Sequence, residues 1–369
     1  MADRVRDEES LRSALYTAAK GWTAWSREGL LAGERSTSEP VLALLPGGQV
    51  LCAYRGPGNM SEGELEEAKG RRQVLWTAFD PAHPGDAGAK NKRAVRGGLR
   101  GTLASASPGV GVLGDTVVLI HSDQEWNYME RHESARSIAW HTDPDRDPDD
   151  EPQDAAKGPK ELNIHGRIGE DAAAASSGPA MTFFRDALHL IIPKSIGAQA
   201  GQAVRRTTHE GPGWGTWSSA SPNEPGPTRG VMGGYIAATV HDDGLHVVWA
   251  DAEGVVAHGP EKTTRLSTPG QLRHTVFDGT SWSQHTPLGP RHISRRGAAL
   301  ASYDGKLHAV YPDPDSDHLL HTALDGTTWS TPTVIPGHDS HHAPALLTFH
   351  HGPHKQPGLL LVHRGAART

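Results

Sequence analysis

The sequence begins and ends in the middle of a repeated unit. Near the C-terminus, residues 320–330 are followed by apolar runs at 343–347 and 359–362, and the unit then stops half complete. Residues 15–26, near the N-terminus, resemble residues 320–330 and supply the missing half. The simplest explanation is a closed ring whose last unit is built from both ends of the chain. We therefore expect residues before about 26 to share one sheet with residues after about 343.

Six units can be followed along the chain. A threonine marks the third strand of each one, at Thr17, Thr77, Thr142, Thr207, Thr275 and Thr322. The second strand is a short apolar run, such as residues 188–192, 245–249 or 307–311, bounded by Gly, Asp or Pro, which is typical of β-structure. With four strands per unit, the sequence predicts an all-β, six-bladed β-propeller. Residues 1–369 are expected to form a single domain, in which residues 1–27 supply the outer strands of the closing blade.

A Trp-Ser pair follows the marking threonine in four places. These pairs are Trp25-Ser26, Trp217-Ser218, Trp282-Ser283 and Trp329-Ser330. An Asp-Gly dipeptide precedes two of them and is typical of a tight hairpin turn. The indole is then expected to pack between adjacent sheets, because large aromatic side chains dominate apolar burial. We interpret these tryptophans as part of the scaffold.

Composition excludes some classes of partner. The 369 residues carry a formal net charge of −7, which argues against a nucleic-acid-binding surface or an anionic membrane as partner. The single cysteine, Cys52, lies inside a predicted strand and leaves no internal disulfide to form. No apolar run has the length of a signal peptide or membrane span, so a cytoplasmic location is expected. The oligomeric state stays open.

A functional site is expected on one face of the ring, where the loops that enter the first strands meet the ends of the second strands. Polar groups from all units converge there. His121, Asp123 and Glu125 are the candidates for general acid/base catalysis, because histidine titrates near neutral pH and carboxylates exchange protons. The candidates for substrate binding are Tyr54, Arg55, Trp126, Tyr128, Lys194, Asp251, Arg295, Arg296, Tyr311, His338, His341, His342 and Arg364.

Metal binding has weaker support. His338, His341 or His342 together with His121 could hold zinc or copper, because imidazole is a common ligand of both. No H-E-x-x-H or C-x-x-C spacing is present, so no cofactor is expected. The acidic, proline-containing segments 143–154 and 312–317 are expected to be solvated loops, with calcium binding as the alternative for the first.

Residues 275–283 and 322–330 resemble a shortened Asp-box of the sialidase-type and lectin-type bacterial propeller repeats. The resemblance spans nearly the whole chain as architecture. In sialidases, three arginines bind a carboxylate, while a Tyr/Glu pair and an Asp carry out the chemistry. The arginines that this resemblance offers are Arg55, Arg100, Arg229, Arg295, Arg296 and Arg364; the Phe-Arg-Ile-Pro motif of sialidases is not present.

Two functions remain open from the sequence. In lectin-like propellers the site residues recur in every unit, whereas here the loops between second and third strands differ in length and chemistry, as at 62–72, 125–136, 196–202 and 253–271. This asymmetry favours an enzyme with one central site that acts on a polar small molecule or sugar, including anionic ones. Hydrolysis, elimination and isomerisation are equally open as reactions. The alternative is a non-catalytic, carbohydrate-binding propeller with several equivalent sites.

Overall fold

The computed structural model describes residues 10–24, 30–56, 72–84, 95–104, 107–113, 116–127, 130–141, 160–162, 179–192, 205–210, 213–214, 218–219, 231–232, 236–252, 256–258, 264–266, 269–351 and 356–365. Within them, the regular structure is β-strand, arranged in antiparallel sheets that follow one another along the chain. The all-β prediction is therefore confirmed.

One sheet contains strands from both ends of the chain. It consists of β1 (Ser10–Thr17), β2 (Gly21–Trp22), β3 (Leu30–Arg35), β30 (Ala345–His351) and β31 (Gln356–Arg364). Strand β1 runs antiparallel to β31, with pairs from Leu11 opposite Arg364 to Tyr16 opposite Leu359. The predicted joining of the two ends in a single sheet is confirmed by this pairing.

The first two sheets between these ends are four-stranded. One is formed by β4 (Val41–Leu44), β5 (Val50–Arg55), β6 (Arg72–Phe79) and β7 (Val95–Ala104). The next is formed by β8 (Gly109–Leu113), β9 (Thr116–Asn127), β10 (Glu130–His141) and β11 (Lys160–Leu162). In each, hairpins join successive strands from the first strand outward.

The next two sheets carry extra short strands. One is formed by β12 (Ala180–Phe184), β13 (Ala187–Ile192), β14 (Arg205–Glu210), β15 (Gly213–Trp214) and β16 (Ser218–Ser219). The other is formed by β17 (Val231–Met232), β18 (Ala237–His241), β19 (Gly244–Ala252), β22 (Gly270–Phe277), β23 (Thr286–Pro287) and β24 (Ile293–Ser294). A separate hairpin, β20 (Val256–His258) with β21 (Thr264–Leu266), lies between β19 and β22 in the chain.

The sheet that precedes the closing one is formed by β25 (Ala299–Tyr303), β26 (Lys306–Pro312), β27 (His318–Asp325), β28 (Thr328–Trp329) and β29 (Thr333–Asp339). A two-residue turn joins β25 to β26 with both central residues at positive φ, Asp304 at 50° and Gly305 at 69°. This is the backbone that a tight antiparallel hairpin requires, and Asp and Gly tolerate it best.

The first strands of the sheets form a closed circuit. Strand β4 contacts β8, β8 contacts β12, β12 contacts β18, β18 contacts β25, β25 contacts β30, and β30 contacts β4 again. Each sheet therefore stands beside two others around a common axis. The chain has an all-β propeller fold.

Apolar side chains fill the spaces between adjacent sheets. Leu11, Val362 and Phe349 of the closing sheet pack with Cys52 and Tyr54 of the β4–β7 sheet, and similar clusters lie between four other pairs of neighbouring sheets. Cys52 is fully buried, as expected for a small apolar group. The hydrophobic core is thus divided among the blade interfaces, which leaves the mouth of the ring to polar residues.

The Thr and Trp-Ser repeat is a hydrogen-bonded scaffold motif. Thr322 Oγ1 donates to the Ser330 carbonyl (2.7 Å), and the Ala323 N–H donates to Ser330 Oγ (3.1 Å). The equivalent bond from Thr275 to the Ser283 carbonyl measures 2.8 Å. The scaffold interpretation of these residues agrees with their contacts.

At the N-terminus the repeat was predicted three residues out of register. The Leu15 N–H donates to Thr23 Oγ1 (2.9 Å) and the Thr23 N–H donates to the Leu15 carbonyl (2.8 Å), the pattern that Ser330 makes with Ala323. Trp22-Thr23 therefore stands where Trp329-Ser330 stands, and Ala14, not Thr17, corresponds to Thr322. Trp25, Ser26, Thr142 and Trp217 lie outside the described residues.

No helix in the described part of the chain has the length and apolar character needed to cross a membrane.

Candidate functional site

Three loops that enter first strands have the same local structure. In each, a fully buried serine hydroxyl accepts the N–H of the residue two positions later: Ser36 from Ser38 (3.1 Å), Ser294 from Arg296 (3.2 Å) and Ser340 from His342 (3.1 Å). We call these three serines the serine clips. Each clip determines how the following residues enter the mouth of the ring.

A chain of polar side chains lies at this mouth. The Glu39 carboxylate contacts His342 Nδ1 through Oε1 (2.8 Å) and accepts the Ser107 hydroxyl through Oε2 (2.7 Å). Arg364 Nη1 lies 2.9 Å from His342 Nε2. These four residues, the mouth cluster, come from the starts of three neighbouring first strands, β4, β8 and β30, and from the end of β31.

Positive charge surrounds this cluster. Arg55 and Arg364 stand at equivalent ends of β5 and β31, and both donate to the Thr37 carbonyl, each at 3.3 Å. Arg296 lies close enough to His342 to affect its titration. Arg55, Arg296 and Arg364 thus lie close to the mouth cluster, whose carboxylate, Glu39, is 2% exposed. Such a group of arginines favours polar or anionic ligands.

His342 is neutral in this setting. Burial lowers its pKa, the Glu39 carboxylate acts in the opposite direction, and the charges of Arg296 and Arg364 lower the pKa further. The neutral ring donates its Nδ1–H to Glu39 and accepts the Arg364 N–H at Nε2. Glu39 therefore sets the tautomer, and Nε2 is the ring atom that can take up a proton.

Three predicted binding residues pack beneath the loops. In three sheets, the second strand carries an equivalent residue just beyond its pairing with the first strand. This residue is Tyr54, Tyr311 or His363. The Tyr54 hydroxyl hydrogen-bonds Glu34, His338 Nδ1 lies 2.9 Å from His363 Nε2, and the Tyr311 ring packs on His292. Tyr54, Tyr311 and His338 are essentially fully buried, so their contacts are with the scaffold.

A shallow pocket opens beside the mouth cluster. It lies between the last two sheets and is lined by Arg295, Arg296, Pro312, Asp313, Pro314, Asp317 and His341. His341 Nδ1 contacts the Asp317 carboxylate (2.9 Å), and Arg295 Nε donates to the Pro314 carbonyl (3.4 Å). Arg296 belongs to the pocket wall and also faces His342. The predicted residues Arg295, Arg296, His341, His342 and Arg364 are thus brought together.

The predicted catalytic triad occupies the long strand β9. Strand β9 pairs with the first strand, β8, only as far as Ile120, which lies opposite Gly109. Beyond that point β9 pairs only with β10, and the two form a two-stranded ribbon that extends to Asn127. By register, His121 holds the position of Tyr54 and Tyr311, while Asp123 and Glu125 follow at alternate positions of the ribbon. A catalytic role for His121, Asp123 and Glu125 stays a prediction.

The remaining predicted binding residues are dispersed. Trp126 lies in the β9–β10 ribbon, opposite Arg131. Asp251 forms an ion pair with Arg273 (2.5 Å) in the sheet of β19 and β22. Tyr128 and Lys194 lie outside the described residues.

The central carboxylate, Glu39, is absent from the predicted list of site residues, as is Ser107. Both precede a proline at the start of a first strand, in Glu39-Pro40-Val41 and Ser107-Pro108-Gly109. An alignment of the units on this proline would have placed Glu39 and Ser107 at equivalent positions of neighbouring blades. For metals, no group of three or more His, Cys, Asp or Glu side chains among the described residues is arranged to hold an ion.

Several solved structures have a fold similar to that of this chain. A fungal lectin from Aleuria aurantia, described as a six-bladed propeller with a novel fucose recognition mode, matches with a TM-score of 0.53 and 12% identity over 89% of this chain and 88% of its own. Penicillium chrysogenum α-L-arabinanase, complexed with arabinobiose, matches with a TM-score of 0.52 and 12% identity over 96% and 97%.

Trypanosoma rangeli sialidase in complex with the inhibitor DANA matches with a TM-score of 0.51 and 10% identity, over 92% of this chain and 57% of the sialidase. No protein-family model and no curated protein matches the sequence. At these identities, the shared property is the propeller fold.

Proposed function

We propose that the protein binds one polar small molecule or sugar, anionic ones included, at the mouth of the propeller and transforms it by general acid/base chemistry. The reaction would be a hydrolysis, elimination or isomerisation. The support comes from the mouth cluster, in which the buried Glu39, the neutral His342 and Arg364 are joined by hydrogen bonds, with Arg55 and Arg296 close by. The lectin, arabinanase and sialidase of the same fold act on or bind sugars, which makes a sugar the first ligand to test.

The observation that carries the single-site proposal is the asymmetry of the mouth. Val41, Gly109, Ala299 and Ala345 are equivalent first-strand positions by register. Two residues earlier stand Glu39, Ser107, Gly297 and Ala343. Only one of these four described loops offers a carboxylate, whereas a multivalent binder needs the same side chains in each unit.

The proposed chemistry uses His342 as the proton carrier. Glu39 holds Nδ1–H and would stabilise the imidazolium that forms when Nε2 takes a proton from the ligand. Arg364, which now contacts Nε2, would turn to a negatively charged group of the ligand. His121, Asp123 and Glu125 remain candidates for a second proton-transferring group.

The proposal includes six blades. The closed circuit of first strands through β4, β8, β12, β18, β25 and β30 supports this number, as does the six-bladed lectin of the same fold. A ring of this size leaves a narrow central channel, so one ligand would occupy its mouth.

The test is titration calorimetry with N-acetylneuraminate, D-glucuronate, L-fucose and arabinobiose. We expect at least one probe to bind with a stoichiometry of one. Glu39→Gln should weaken its binding about tenfold or more, because a hydrogen bond to a charged group contributes about 1.5–3 kcal/mol. The exposed Asp80→Asn variant is the control and should bind like the wild type. A stoichiometry well above one, or an unchanged affinity in Glu39→Gln, would contradict the proposal.

The non-catalytic alternative is a carbohydrate-binding propeller. It is favoured by the fact that both ring nitrogens of His342 are already hydrogen-bonded within the protein. Incubating wild type and His342→Gln with p-nitrophenyl glycosides of the bound sugar separates the two: release of nitrophenol by the wild type alone supports catalysis. Binding without release by either protein supports the alternative.

A further inference from the structure

The three serine clips set the position of the charged residues at the mouth. The Ser340 hydroxyl accepts the His342 N–H and donates to the His342 carbonyl at 2.8 Å, so both backbone groups of His342 are held by one side chain. Ser36 holds Ser38 in the same way, with a hydroxyl-to-carbonyl distance of 2.7 Å, and Glu39 is the next residue.

Two of the clips also tie their loops to their own blades. The Ser36 hydroxyl lies 3.3 Å from the carbonyl of Arg55, and the Ser294 hydroxyl lies 3.1 Å from the carbonyl of Pro312, the equivalent end of the second strand. A loop fixed at the serine and at the strand end has little freedom to rotate. The residue two positions later is therefore held at a defined height above the sheet.

The residues held by the clips differ, although the clips are alike. Ser38, Arg296 and His342 stand at the same position of three loops. A purely structural turn would not require a charged or titratable group there. All three serines are fully buried and touch no ligand space themselves, so their effect on a ligand must pass through the residues that they hold.

We propose that Ser340 and Ser294 are positioning residues, which hold His342 against Glu39 and Arg296 near His342, at the height where both would meet a bound ligand. The inference rests on the proposed function, since it assigns these serines to the same site. If these serines have this role, the pattern Ser-x-His or Ser-x-Arg before a first strand helps to determine which ligand the mouth binds.

The first test needs no ligand. Carbon-13-labelled histidine would be followed by NMR in wild type and Ser340→Ala, with the His342 signal assigned from its loss in His342→Gln. In the wild type, burial and the positive charges of Arg296 and Arg364 lower the His342 pKa below its ordinary value, although the Glu39 carboxylate acts in the opposite direction. Ser340→Ala should move it toward about 6.5, because the ring leaves its buried position. Ser340→Thr keeps the hydroxyl and should restore the wild-type titration.

The matched control is Thr322→Val, which removes a buried hydroxyl-to-carbonyl bond of 2.7 Å in an outer strand. It should lower stability as much as Ser340→Ala and leave the His342 titration unchanged. A wild-type titration of His342 in Ser340→Ala would overturn the inference whether or not any sugar binds.

The second test uses D-glucuronate in calorimetry, or the tightest-binding member of the four-sugar panel. Ser340→Ala and Ser294→Ala should each weaken binding about tenfold, and Thr322→Val should not. If Glu39→Gln abolishes binding and both serine variants retain full affinity, the proposed function stands and the positioning inference fails.

Discussion

At the scale of single residues, the same position of the fold is used in several chemical ways. Tyr54 and Tyr311 occupy equivalent, fully buried positions in β5 and β26. The Tyr54 hydroxyl hydrogen-bonds the buried Glu34, whereas the buried Tyr311 hydroxyl has no hydrogen-bond partner among the described residues. Comparing the two tyrosines therefore separates what the aromatic ring contributes to stability from what its hydroxyl contributes.

Tyr54→Phe should therefore destabilise the protein by about 1–3 kcal/mol, because it leaves the buried Glu34 carboxylate with one donor fewer. Tyr311→Phe should change the free energy of unfolding little or raise it. Both values can be measured by urea denaturation. Equal losses in the two variants would show that Glu34 gains nothing from the Tyr54 hydroxyl.

At the scale of strands and hairpins, the repeat is explained by one hydroxyl. Thr275 and Thr322 each close the third strand onto the Trp-Ser segment with a short hydrogen bond. Thr322→Val keeps the side-chain shape and removes this bond, so we expect a loss of about 1 kcal/mol in unfolding free energy. Thermal melting would show the change, and an unaltered melting temperature would contradict it.

The strand pattern was predictable because scaffold residues obey simple periodicities. Apolar second strands, Asp-Gly turns and the Trp-Ser pairs at 282–283 and 329–330 were found correctly from sequence. The N-terminal unit was misaligned because Trp25-Ser26 matches the motif in letters, while Trp22-Thr23 makes its hydrogen bonds. Threonine replaces serine there with the same hydroxyl chemistry, which a search for identical residues misses.

The mouth cluster could be predicted only in part. Arginines and histidines near strand ends were selected by residue type, and His342, Arg296 and Arg364 do converge. Glu39 lies on a loop that the sequence places at the mouth, but its central role was not predicted, because its partners, Ser107 and His342, are 68 and 303 residues away in the chain. Such contacts depend on how the ring closes, and local sequence patterns carry no record of them.

At the scale of the whole molecule, three histidine pairs among the described residues, with five of their six rings buried, bridge neighbouring strands or loops. They are His246 with His274, His308 with His321, and His338 with His363, each with a nitrogen-to-nitrogen distance of 2.9 Å. In each pair, one ring donates an N–H to a nitrogen of the other ring, so the accepting ring must be unprotonated at that nitrogen. Burial lowers the pKa of His246 and His274 to about 4 and that of His321 and His363 to about 3, and neighbouring histidine rings add to the effect.

The protein should therefore lose stability in mild acid. In the unfolded chain these histidines take up protons near pH 6.5, whereas in the folded protein they do so only near pH 3–4, so stability is complete above about pH 6.5 and falls below it. At pH 5 each such histidine should cost about 2 kcal/mol. Urea denaturation at pH 7.5 and pH 5 measures the loss. His321→Gln should reduce the pH dependence by about one proton, and a midpoint independent of pH would refute the role of the pairs.

The closing sheet also brings Ser10 and Gly365 together at the mouth of the ring. The Gly365 N–H donates to the Ser10 carbonyl at 3.0 Å, directly beside Arg364 of the mouth cluster. A tether attached at Ser10 or Gly365 would therefore start at the rim that surrounds the candidate site. For immobilisation on a sensor, attachment through the hairpin at Asp304 and Gly305, where Lys306 is exposed on the opposite face, would leave the mouth facing solution.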